Sequence, residues 1–98
     1  MPPVPSSPDR ALLVAWRRDG DQRARETLFR RYLPFARAIA RRFTPSIESV
    51  DDLEQIAGIG LLKAIDRYDL AREVAMTTYA TPTIVGELRR HFRDRTWA

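Results

Sequence analysis

The chain has 98 residues, 44% hydrophobic, 31% charged and 9% aromatic, which describes one small globular core and excludes general disorder. Cysteine is absent, which excludes disulfide frameworks, thiolate metal sites and cysteine nucleophiles and makes a reducing cytoplasm the simplest compartment. Seventeen Lys+Arg against thirteen Asp+Glu give a net charge of +4, and the charges are segregated along the chain. Residues 1–47 hold ten arginines against four acids, residues 48–73 three cations against seven acids, and residues 74–98 four arginines against two acids. A basic, acidic, basic order implies one surface for a polyanion and another for a basic partner. Arginine suits phosphate and base edges, but a GC-rich coding sequence supplies it as well, so the arginine bias alone leaves both readings open. No apolar run approaches the roughly 20 residues that span a bilayer, and the start, MPPVPSSPDR, has neither a basic n-region nor an apolar h-region. The expectation is a chain that neither crosses a membrane nor is exported.

Residues 1–8 are rich in proline and serine and read as a flexible tail, leaving 9–98 as the folded domain. After Ser7-Pro8-Asp9, the residues Ala11, Leu12, Ala15 and Trp16 recur at helical spacing until Asp19-Gly20 stops them. Asp21 caps a second stretch whose apolar stripe is Leu28, Phe29, Tyr32, Leu33, Ala36, Ile39, Ala40 and Phe43. Pro34 interrupts it; the spacing predicts one continuous, bent helix ending near Thr44-Pro45. Ser49-Val50-Asp51-Asp52 opens a third helix with Leu53, Ile56, Ala57, Leu61, Ala64, Ile65 and Tyr68 on its apolar side. Gly58 and Gly60 inside it predict close approach of another helix backbone. Residues 69–76 read as a connector, and Thr77 or Thr78 starts a fourth helix carrying Tyr79, Ala80, Ile84, Val85, Leu88 and Phe92 to about Arg95. No segment alternates long enough to be a strand, so the expected fold is all-α, a compact bundle of about four helices.

Enzyme chemistry finds little material here. His91, the only histidine, sits among Arg89, Arg90 and Arg93 and reads as a surface residue, with no second histidine for a metal or triad geometry. Asp51, Asp52 and Glu54 suit the first turn of a helix without any cation. The expectation is no catalysis, no metal and no cofactor. The fourth helix says more: Tyr79, Pro82, Gly86, Arg90, Arg93 and Trp97 advance by threes and fours and share one stripe, flanked by Thr78, Thr83 and Arg89. A ring leading into guanidinium groups is what single-stranded nucleic acid needs, a face for base stacking and cations for the phosphates that follow. The same spacing also fits a core tyrosine beside a solvated arginine face, and spacing alone does not choose.

The stretches DDLEQIAGIGLLKAIDRYD and TTYATPTIVGELRRHFRDRTWA, with YLPFARAIARRF before them, resemble domain two of bacterial RNA polymerase sigma factors over about residues 9–98. The TPTIVGELxRxxRDxTW variant is most similar to the general-stress and sporulation branch. The resemblance implies that Asp52, Gln55, Ile56 and Ile59 dock on the coiled coil of the polymerase β′ subunit. An acidic helix is also what a basic partner would meet favourably. Primary sigma factors usually have an acid at the position of Ile56, which here could equally be a core residue. The resemblance further implies a promoter-melting surface of Tyr68, Arg72, Thr78, Tyr79, Pro82, Gly86, Arg89, Arg90 and Arg93. There a non-template adenine of the minus-ten element is unstacked and held against the ring at the position of Tyr79.

Three departures stand out. Pro82 and Thr83 replace the tryptophans of primary members, which predicts weaker intrinsic melting and stricter promoter choice. Arg72 is followed by Glu73 rather than glycine, and Met76 replaces a phenylalanine at one pocket wall. Gly86 and Arg89 stand where primary members read the upstream base. The family continues past the position of Ala98 with the part that reads the minus-thirty-five element, so the chain reads as a fragment that binds DNA weakly alone. The expected function is an alternative sigma factor domain giving promoter specificity to RNA polymerase, cytoplasmic and on the nucleoid during transcription. Its implied partners are core polymerase, minus-ten promoter DNA and an anti-sigma factor. The rival reading is a sigma-like decoy that binds an anti-sigma factor without touching promoter DNA; retention of Tyr79 and the arginine stripe argues against it.

Overall fold

The computed structural model describes residues 8–43, 49–72 and 74–97, with only the backbone course given for Pro8 and residues 94–97. Among the described residues the chain forms four α-helices and no strand: α1 (Pro8–Asp19), α2 (Gln22–Arg41), α3 (Val50–Arg67) and α4 (Met76–Trp97). The all-α bundle expected from periodicity is the observed fold.

Pro8 is the first residue of α1, where its fixed φ suits the opening turn. Residues 1–7, Ser7 among them, lie outside the described residues. The buried side chain of α1 is Leu13, 2% exposed, which was not in the expected stripe; Leu12, Ala15 and Trp16 are half-buried and Ala11 is exposed. α1 packs chiefly against α2. Gly20, at φ 68°, ends it: the Gly20 N–H donates to the Trp16 carbonyl and the Asp21 N–H to the Ala15 carbonyl, both at 3.0 Å. This left-handed termination satisfies carbonyls that the helix leaves open. Asp21 then accepts from the Arg23 and Ala24 N–H groups at 2.9 and 3.3 Å, so one residue pair both closes α1 and starts α2.

α2 runs unbroken through Pro34, which is exposed, so the missing N–H disturbs one local bond and not the core. The helix ends at Arg41, where Arg42 and Phe43 donate to the Ile39 and Ala40 carbonyls at 3.1 and 3.0 Å in a tightened last turn. The expected stop at Thr44-Pro45 lies outside the described residues. Ser49 Oγ accepts from the Asp52 N–H at 3.1 Å and starts α3. α4 begins at Met76, a residue before the expected start, because Met76 itself is drawn into the core.

The core gathers Leu13, Leu28, Ile39, Leu53, Leu61, Ile65, Tyr68, Ile84 and Leu88, with Ala24, Ala36, Ala40, Ala57, Ala64 and Ala80 as small spacers. Among the described residues no polar or charged side chain is buried. Ion pairs cross between helices around this core. Arg25 donates to both carboxylate oxygens of Asp66 at 2.7 and 2.8 Å, and the guanidinium holds that carboxyl below its usual range. Glu54 sits between Arg37 and Arg41 at 3.5 and 3.2 Å, and Lys63 pairs with Glu87.

Of the two glycines expected at a helix crossing, only Gly60 is one. A Cβ there would lie 2.8 Å from the Ile84 Cα and 3.3 Å from the Thr83 carbonyl oxygen, so α4 presses its backbone on α3 at this point. Gly58 meets only the side chains of Phe29 and Leu33, at 3.7 Å or more, which is ordinary contact and corrects the sequence expectation. Gly60→Ala should destabilise the domain by about 1–3 kcal/mol through overpacking. Gly58→Ala should instead gain about 0.5–1 kcal/mol of helix propensity. Urea denaturation of the two variants measures the contrast.

Candidate nucleic-acid interface

α3 ends where Tyr68 turns inward. Its ring is 2% exposed, and its hydroxyl donates to the Val74 carbonyl at 2.6 Å and more weakly to the Arg72 carbonyl at 3.3 Å. Burial pushes the Tyr68 phenol pKa up. Between these points Asp69 closes a tight turn, its carboxylate accepting from the Ala71 N–H at 2.9 Å and its carbonyl from the Arg72 N–H at 3.1 Å. Tyr68 therefore staples both ends of the connector from inside.

Tyr79 stands on Tyr68. The ring centroids are 5.0 Å apart at 61°, an edge-to-face contact. The Tyr79 ring is half-buried, and its hydroxyl donates to the Arg67 carbonyl at 2.7 Å. The Arg72 guanidinium lies over it, 6.0 Å from the centroid. Thr78, Pro82, Gly86, Arg89, Arg90 and Arg93 are exposed along α4 beyond this ring, and Arg72 is exposed on the connector. A Cβ at Gly86 would meet nothing within 4 Å, so no packing demand explains that glycine. The geometry brings together an aromatic platform fixed at its hydroxyl and a row of guanidinium-bearing positions on one helix. It can stack a base and follow a phosphate backbone.

Tyr68 departs from the expected surface. It lies beneath Tyr79 and supports it, because it continues the apolar stripe of Leu61, Ala64 and Ile65 by one more helical step. Met76, expected at a pocket wall, is likewise 2% exposed and belongs to the core. His91, expected at the surface, is half-buried with its ring edge-on to Phe92 at 5.9 Å. The side chain of Trp97 lies outside the described residues.

A second surface forms on α3. Asp52 and Gln55 are exposed, Ile59 is 50% exposed, and Ile56 is half-buried against the core. A groove of about 560 Å³ runs between α2 and α3, lined by Phe29, Leu33, Arg37, Asp51, Glu54, Gln55, Gly58, Ile59 and Leu62. Sequence reasoning missed Phe29, Leu33, Gly58 and Leu62 as parts of this surface. Nothing in the sequence separates Gly58 from Gly60; only the structure shows that side chains of α2, and no backbone, lie against Gly58. Among the described residues no group of three or more His, Cys, Asp or Glu side chains could hold a metal, and no helix is long and apolar enough to cross a membrane.

Residues 28–98 match the family described as Sigma-70 region 2, and the chain belongs to that family. It is 47% identical over 77 residues to the RNA polymerase sigma factor SigF of Mycobacterium tuberculosis, covering 79% of this chain and 30% of that protein. It is 40% identical over 94 residues to the RNA polymerase sigma-G factor of Bacillus subtilis, covering 96% of this chain and 36% of that protein. The sigma-F factor of Bacillus subtilis is 40% identical over 82 residues, covering 84% and 32%. The chain spans about a third of the length of these relatives. These likenesses bear out the sporulation and stress branch of the sigma factors.

Tyr68→Phe removes the donor that holds the connector and leaves the Val74 carbonyl wanting one. The variant should lose about 1 kcal/mol of stability. Amide exchange should rise at residues 69–75 while the middle of α3 stays protected, which hydrogen-exchange mass spectrometry reads directly.

Proposed function

We propose that this domain gives promoter specificity to bacterial RNA polymerase by docking on the β′ coiled coil through α3 and capturing the opened minus-ten non-template strand on α4. Capture uses Tyr79 as the stacking platform for an extruded adenine. Thr78, Pro82, Gly86 and Arg89 flank the strand, and Arg72, Arg90 and Arg93 take the phosphates. Tyr68 contributes from beneath, as the support of the Tyr79 ring. The observation that carries this reading is the Tyr79 platform, tied at its hydroxyl and edge-supported by Tyr68, at the head of an exposed arginine row. Extruding a base costs a few kcal/mol, which stacking and phosphate contacts offset only when the ring is already in place.

Docking on β′ uses Asp52, Gln55 and Ile59, with Ile56 adding apolar contact at the edge of the core. The groove beside them receives apolar side chains of the partner, while Asp51 and Asp52 meet its cations. An anti-sigma factor covering these surfaces would hold the domain inactive, and the whole process takes place in the cytoplasm, on the nucleoid.

With core polymerase present, Tyr79→Ala should weaken binding of a single-stranded minus-ten oligonucleotide by about 1–3 kcal/mol, the usual loss for one stacked base. Fluorescence anisotropy measures it. An unchanged affinity would move the domain to the decoy reading. Gln55→Ala should reduce co-purification with core polymerase about tenfold while the melting temperature holds, a loss of about 1.4 kcal/mol; a variant that only melts earlier would remove Gln55 from the docking face.

A further inference from the structure

α1 lies before the residues matched to the family, which begin at Leu28. It nevertheless supplies two long-range side-chain hydrogen bonds to the connector. Arg10 Nη1 donates to the Leu70 carbonyl at 2.8 Å and Arg17 Nε to the Tyr68 carbonyl at 3.1 Å, across 60 and 51 residues of sequence. Arg10 and Arg17 are two helical turns apart, so one face of α1 presents both. The carbonyls they take lie just past the last turn of α3, where the helix no longer supplies donors. The neighbouring Arg67 carbonyl is taken by the Tyr79 hydroxyl. The end of α3 is therefore capped by side chains from two other helices, and one of those side chains is the stacking platform itself.

α1 is in turn fixed on α2. Asp9 accepts from Arg31 and Tyr32, and the Arg25 guanidinium lies 5.2 Å from the centre of the Trp16 ring. α1, so fixed, supplies donors to two carbonyls that would otherwise turn to water.

We propose that Arg10 and Arg17 are positioning residues for strand capture: by clamping the Leu70 and Tyr68 carbonyls they hold Tyr68 under Tyr79 and preset the ring face on which an unpaired base stacks. The proposal rests on the strand-capture reading above and makes α1 a working part of that site. Its physical basis is preorganisation, since an ordered ring loses no freedom when the base arrives.

The test uses the full chain on core polymerase and a minus-ten single strand carrying a fluorescent adenine analogue at the base to be stacked. Arg17→Lys keeps the charge but has no donor at the Nε position. Arg10→Ala and Arg17→Lys should each weaken capture about fivefold, the scale of one lost hydrogen bond, and should reduce quenching of the analogue. The dependence on salt should keep its slope, because no phosphate contact is lost. In a Tyr79→Ala background both effects should vanish. Losses that persist undiminished in that background overturn the proposal. So does Arg17→Lys binding at parental affinity while Arg17→Ala binds weakly with a salt slope lower by about one unit, which marks a direct phosphate contact. Circular dichroism confirms folding at the assay temperature; if Arg10→Ala fails it, the charge-preserving Arg17→Lys decides. If Tyr79→Ala alone leaves capture unchanged, the strand-capture reading itself has failed. If Tyr79→Ala weakens capture but the arginine effects simply add to it, only the role given to α1 has failed.

Discussion

The placement of α4 depends on its crossing with α3 at Gly60, where a single methyl group would strike the Ile84 Cα. Backbones can approach this far only where a side chain is missing, and the approach fixes how α4 lies on α3. Ala57, Leu61 and Ala64 then meet Ala80, Ile84 and Leu88 within one core, all fully buried. The register also brings Lys63 to Glu87 at the margin of the contact. Every exposed position on α4 inherits its orientation from this crossing, because the residues that face solvent are those left over once Met76, Ala80, Ile84 and Leu88 are turned inward.

The connector between these two helices shows how a short irregular segment is made definite without secondary structure. Tyr68 reaches across it from inside, Asp69 closes it locally, and α1 reaches it from outside. Each contact satisfies a backbone group that would otherwise need water. Polar satisfaction and site geometry are here the same set of bonds, and the ring of Tyr79 is oriented as a by-product of capping α3.

Helical periodicity made the four helices legible, and the caps at Asp21 and Ser49 were readable from residue type alone. Boundaries were less so: Met76 entered α4 because it is buried, and burial of one side chain is not visible in local sequence. The α1 stripe of Leu12, Ala15 and Trp16 does lie on the packed side, but the residue it leaves out, Leu13, is the one fully turned inward, while Ala11 is exposed. The glycines divide instructively. Both looked alike in sequence, yet Gly60 admits a backbone and Gly58 opens a groove, a distinction set by which helix lies opposite. Tyr68 carried two signals, the apolar stripe of α3 and a family position at the strand-binding face. The stripe governed where the ring points. The hydrogen bonds of Arg10 and Arg17 span more than fifty residues, and nothing in the spacing of two arginines on a helix announces a carbonyl so far along the chain.

The alanines at positions 24, 36, 40, 57, 64 and 80 are all 3% exposed or less. Small spacers of this kind sit between the larger core side chains in a close-packed interior, with little free volume to absorb a bulkier neighbour. Enlarging one of them would act as a wedge, turning a local change of volume into a tilt between rods. The smallest residues of the interior thus act as its shims, and the angles between the rods follow from their thinness.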